Sequence, residues 1–199
     1  MAWKIEKWLL EVFPGPCRIY EEYRHLTRRE LVIVAAGVLD LGLAQLLSMR
    51  LVGDSLERED YLGPNGNGCA PASSFGARIQ LSLLTGVITS DDADILRIIK
   101  NTRNCFAHRV NVDFTSPELV PLVRKLCTKW EERTIRLAIP GFTPEAATAG
   151  MNGIRKHLSS EPEAGAGLLL AVFSTYQAYF HRLSDLVMPI ENVVCKKNG

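Results

Sequence analysis

The chain has no surplus of either charge: 23 Lys and Arg face 22 Asp and Glu across 199 residues, a formal net charge of +1. A protein that draws its affinity from phosphate contacts carries a basic stripe or excess. The pairs Arg28-Arg29 and Lys196-Lys197 are too short to provide one, so direct reading of DNA is not expected. Paired cysteines are missing too. Five are scattered at 17, 69, 105, 127 and 195, with no Cys-x-x-Cys, which argues against a zinc ribbon or thioredoxin-like site. Cys105 and Cys127 fall in apolar helical patterns and read as buried thiols, and a reducing cytoplasm is the expected compartment.

Other signatures are also lacking. His25, His157 and His181 have no companion at ligand spacing, so no metal is expected. Gly-x-Ser-x-Gly is absent, which removes the hydrolase cue. Gly66-Asn67-Gly68 lacks the Gly-Lys-Ser/Thr ending of a phosphate loop and follows no expected strand, so no cofactor is expected. Lys4, Glu6 and Lys7 break up any leader-like apolar core. The runs Leu31–Leu39 (nine residues) and Ala164–Phe180 (seventeen) fall short of the ~20 that span a bilayer, and both read as core helices with no membrane partner.

What remains is ordinary globular material, 47% hydrophobic and 23% charged, enough for one domain with a real core. Its periodicity is helical almost throughout, and the expected class is all-α: a single domain, 1–199, folded as a bundle of five to seven helices. Residues 1–13 read as an amphipathic helix with Ile5, Trp8, Leu9, Val12 and Phe13 on one face, ended by Pro14-Gly15-Pro16. Too short to stand alone, it must dock on the body or on a partner subunit. Helical pattern continues to Arg50, with a capping-box pair, Thr27 and Glu30, marking a new start. Residues 53–73, rich in Gly, Pro, Asn and Ser, read as a polar loop. Val110–Phe114 reads as a short extended piece, and Pro117 as the first residue of a helix carrying Leu119, Leu122, Val123, Leu126 and Trp130. Residues 138–165 read as a connecting segment with one short helix near 145–158, and Leu168–Met188 as the last strong helix.

Asp40 is a lone acid inside LVIVAAGVLDLGLAQLL, and a buried carboxylate needs a partner. Arg78 and Arg103, both at the edges of apolar stripes, are the candidate cations for a structural ion pair.

The organising stretch is 73–110. Phe75, Ile79 and Leu83, broadened by Leu81 and Leu84, give one helix, and Gly86 can stop it. Thr89, Ser90 and Asp91 offer cap oxygens, while Asp91, Asp92 and Asp94 suit the positive end of the next helix. At 100° per residue, Ile95, Ile98, Ile99, Thr102, Cys105 and Phe106 share an apolar face. Arg97, Asn101, Asn104 and His108 form the opposite polar stripe, a candidate binding surface, with Arg103 on the rim. His108 has a structural reading as well, as a C-terminal cap that serves the last carbonyls.

Two resemblances attach to these residues. From about Leu31 to Lys129 the order of motifs (VAAGVLDLGLAQLL, a Gly/Pro-rich loop, SSFGARIQLSLLTGVI, an acidic helix start and RNCFAH) resembles the mannitol-operon repressor family of bacteria. That resemblance implies a helical bundle and a regulator of transcription without a recognisable DNA-reading module, acting through protein partners. RNCFAH also resembles the signature of HEPN domains, which are α-helical and often dimeric. In that reading Arg103, Asn104 and His108 match a metal-independent ribonuclease site. The chemistry is coherent, since a histidine can move the 2′-hydroxyl proton while an arginine holds the phosphate. On a straight helix Arg103 and His108 lie about 140° apart, so convergence calls for a homodimer that brings two copies of the helix together.

Overall fold

In the computed structural model of the chain, residues 25–63, 69–137, 148, 152, 155–158 and 160–186 are described. The expected helix over 1–13 and its Pro-Gly-Pro hinge lie outside them. Six helices of eight residues or more follow in order: α1 (Arg28–Arg50), α2 (Ser55–Leu62), α3 (Phe75–Leu84), α4 (Ser90–His108), α5 (Val120–Leu137) and α6 (Pro162–Leu186). Among the described residues there is no strand, and the class is an all-α helical bundle.

Local chemistry sets most of these boundaries. Thr27 caps α1 reciprocally with Glu30, whose carboxylate takes the Thr27 N–H at 2.7 Å. Thr89 and Asp92 repeat the device at the start of α4, and Ser74 caps α3 through the Ala77 N–H. Gly86 ends the α3 turn at φ 70, a left-handed backbone that a side chain would strain.

α1 is the central element and packs against α6, α4, α3 and α2; α4 lies between α3 and α5. Leu39, Leu43 and Leu47 of α1, Ile79 of α3, Ile95, Leu96, Ile99 and Phe106 of α4, and Phe173 and Tyr176 of α6 are all fully buried in one core. Each such side chain contributes roughly 1.5–3 kcal/mol on leaving water. α1 and α6 approach closely at Gly42, where a Cβ would sit 2.8 Å from the Phe180 ring. By length and mean hydropathy, 2.0 over its most apolar window, α1 could cross a bilayer, but here half of that window is buried inside the bundle.

Several expectations need correction. Residues 53–73 are not all loop. Asp54 and Glu57 form a capping box, and Gly63 at φ 57 closes α2 between them and the turn. Val110–Phe114 is turn and bend, and Ser116–Leu119 forms a further turn, so α5 starts at Val120 with Pro121 in its first turn, where a missing N–H costs least. The segment 138–165 overlaps the last helix, which begins at Pro162 rather than Leu168; within the segment, residues 155–157 are helical. Leu84, assigned to an apolar stripe, is 73% exposed, because it stands at the end of its helix, beyond the reach of the neighbouring packing. Cys127 is buried as expected, whereas Cys105 is only half-buried and Cys69 is exposed. Among the described residues none of the three forms a disulfide.

Candidate functional site

The inner face of α4 anchors the site. Ile95, Ile98, Ile99, Thr102 and Phe106 are buried, with the Thr102 hydroxyl returned to the Ile98 carbonyl at 3.0 Å. The opposite stripe therefore faces solvent along the helix. Arg97 is half-buried and engaged, donating to Gln80 Oε1 at 2.9 Å and pairing with Asp94 at 3.4 Å. Past it, Asn101, Arg103 and His108 are exposed and Asn104 is half-buried. Arg103 Nη1 donates to Asn104 Oδ1 at 3.2 Å. Among the described residues, the side chains of Asn101 and His108 have no hydrogen-bond or ion-pair partner.

The capping role open to His108 is filled by another residue. Arg29, in the first turn of α1, donates to the carbonyls of Phe106, Arg109 (2.6 Å) and Val110 (2.7 Å). Its neighbour Arg28 turns the other way, to Asp113 at 2.8 Å and Glu163 at 2.5 Å. The one basic pair near the front of the chain is thus spent on internal contacts. Val110, held by its backbone, leaves its side chain 87% exposed beside His108.

The proposed ion pair forms between two of its three candidates. Arg78 Nη1 meets Asp40 Oδ1 at 2.7 Å, and the Arg78 side chain is 4% exposed. The guanidinium also donates to the carbonyls of Ala72 (2.9 Å) and Leu62 (2.8 Å), so one side chain ties both backbone positions to Asp40 of α1. Arg103 is not a member of the pair. It is exposed and acts on Asp40 only through its charge. Burial pushes the Asp40 carboxyl above the usual aspartate range, with Arg78 and Arg103 only partly offsetting it.

A second polar centre was not expected from the sequence. Asp92, read there only as a helix-dipole acid, is fully buried at the start of α4. It takes a fork from Arg133 of α5 (Nε at 2.6 Å, Nη2 at 3.0 Å), the hydroxyls of Tyr176 (2.9 Å) and Tyr179 (3.3 Å) of α6, and the N–H and hydroxyl of Thr89. Arg133 also lies over the Tyr179 ring, 5.2 Å from its centroid. Burial works against the Arg133 charge, but hydrogen bonds and attraction from Asp92 outweigh it and hold the guanidinium more firmly protonated. Burial, then the Asp92 charge, pushes Tyr179 up to about 12 and Tyr176 higher still. Asp92 and Tyr176 are buried and Arg133 and Tyr179 half-buried, and the chemistry of the cluster is that of a fastening between three helices. The only signal available in the sequence was the Thr89-x-x-Asp92 capping spacing.

Among the described residues no group of three His, Cys, Asp or Glu side chains is placed to hold a metal ion. No family model matches this chain, and neither a curated protein nor a solved structure does.

Proposed function

We propose that this chain is a non-enzymatic regulatory protein of the cytoplasm that resembles the mannitol-operon repressor and acts on transcription through a protein partner, as a homodimer and without contact to a membrane. The carrying observation is the solvent face of α4: Asn101, Asn104 and His108 stand on a helix whose other side is fixed in the core, and the side chains of Asn101 and His108 have no partner among the described residues. A rigid polar stripe edged by the exposed Val110 has the make-up of a protein-binding rim. The near-neutral charge supports a partner other than DNA.

Two measurements test this. Purified chain is expected to show no submicromolar binding to operator-length DNA at physiological salt. Fused to a heterologous DNA-binding domain, it is expected to repress a reporter, and Asn104→Ala with His108→Ala is expected to abolish that repression without loss of the folded protein. Tight DNA binding, or repression indifferent to both changes, would overturn the reading.

A specific observation favours a second reading, the HEPN-type ribonuclease. With Arg29 serving the α4 carbonyls, the His108 imidazole is left for proton transfer, and Arg103 lies against Asn104. Arg103 would hold the scissile phosphate and His108 would move the 2′-hydroxyl proton, the two drawn from facing copies. Cleavage of single-stranded RNA in EDTA by the wild type, and not by His108→Ala, would establish it over the first.

A further inference from the structure

We propose that Arg29 is the positioning residue of the α4 surface: its guanidinium fixes the chain on both sides of His108 and leaves the imidazole free. This rests on the reading above that Arg103, Asn104 and His108 form the functional face.

A helix ends with carbonyls that lack partners, and a basic side chain in its own last turn is the usual remedy. His108 occupies that place, yet the donors arrive from Arg29, 80 positions before the Arg109 carbonyl it meets. The geometry requires an arginine. Phe106 O lies before His108, and Arg109 O and Val110 O after it, so three acceptors on a bending backbone must be met at once. A planar guanidinium with five N–H groups can do this; a lysine ammonium, a point charge on a flexible stem, holds such a fan poorly. The fixed positive charge also complements the negative end of the α4 dipole. Backbone on either side of residue 108 is thereby held, while the side chains of His108 and Val110 stay outside.

Arg28 supplies the control. It leaves the same helical turn but binds Asp113 and Glu163, touching none of the α4 carbonyls. Full-length protein would be compared as wild type, Arg29→Gln, Arg29→Lys and Arg28→Gln. The readouts are amide exchange over residues 107–112 and the NMR resonance of the His108 Cε1–H. Arg29→Gln is expected to speed exchange there roughly tenfold or more, as local opening becomes easier, and to shift and broaden the His108 line. Arg29→Lys should restore part of both signals, and Arg28→Gln should leave both as in the wild type.

Unchanged exchange and an unchanged His108 line in Arg29→Gln would overturn the proposal. So would an equal loss in Arg28→Gln, which would mean only that the start of α1 had loosened. The functional reading is separated by His108→Ala, which keeps the local order. If that variant is as active as the wild type in both the reporter and the RNA assays, the face itself is not functional and Arg29 is a helix cap alone.

Discussion

The two ends of α4 are secured in opposite ways. At its start, Asp92 is sunk into the core and met by Arg133, Tyr176, Tyr179 and Thr89, so a charge is buried and every lone pair is answered. At its finish, Arg29 reaches across from α1 to the backbone carbonyls, and the side chains of the last turn remain outside. One end gains order by enclosing its own side chain; the other gains it from a foreign side chain and keeps its own groups available. A helix can therefore be rigid and still present unpaired polar groups to a partner. The sharpest way to break the comparison is Asp92→Ala. Removing the acid strands the Arg133 guanidinium, 11% exposed, together with two phenol hydroxyls, and about 3–5 kcal/mol of stability should be lost in urea unfolding. A loss under about 1 kcal/mol would show that the buried end is no more demanding than the open one.

Between those ends, Asp40 tests whether a half-open ion pair behaves like the closed one. Its side chain is 23% exposed while that of Arg78 is 4% exposed. Asp40→Ala should cost about 3 kcal/mol, most of it from the stranded Arg78. The pH dependence carries a definite sign. Because burial raises the folded-state pKa, the native chain holds its proton more tightly than the unfolded chain just above the ordinary aspartate value of about 3.9. This contribution is full at lower pH and is lost as pH rises through the raised value. Asp40→Asn should flatten that part of the stability profile, and a profile identical to wild type would exclude Asp40 as its source.

Tyr176→Phe removes one donor from Asp92 and keeps the ring packing. An expected loss of about 1–2 kcal/mol follows from a charge-assisted hydrogen bond whose acceptor retains other partners. The same pair of phenols sets an alkaline limit. With Tyr179 raised to about 12 and Tyr176 above it, the unfolded chain releases these protons first, near pH 10. Stability should be intact below that point and fall as pH climbs toward 12. Urea unfolding across this range should show a shallower fall in Tyr179→Phe, and an unchanged slope would remove Tyr179 from the account.

The same contrast explains what could be read from the sequence. The cap at Thr27, the Gly86 stop and the inner stripe of α4 were legible because each depends on residues within one or two turns. α2 was missed although Asp54, Glu57 and Gly63 carry its signals, since the surrounding Gly, Pro and Asn point to loop and outweigh a single capping box. Asp40 could be matched to Arg78 or Arg103 because a lone acid in an apolar run demands a cation, and the packing chose Arg78. Neither end of α4 offered such a demand. Asp92 draws on residues 41 to 87 positions away, and Arg29 on carbonyls 77 to 81 away, contacts set by helix packing and invisible to local spacing.

The smallest expected effect is also the most discriminating. His108→Ala removes an exposed imidazole that has no partner among the described residues, and Asn101→Ala an exposed amide in the same condition. Surface substitutions that break no contact stay within roughly 0.5 kcal/mol, and alanine is in addition the better helix former at both sites. Thermal and urea unfolding should therefore place both variants beside the wild type. Had His108 been the cap of α4, its loss would instead cost about 1 kcal/mol, the scale of a helix-terminal interaction with the dipole and carbonyls. A loss of that size would show that Arg29 and His108 share the end of the helix, and the two ends of α4 would no longer differ in kind.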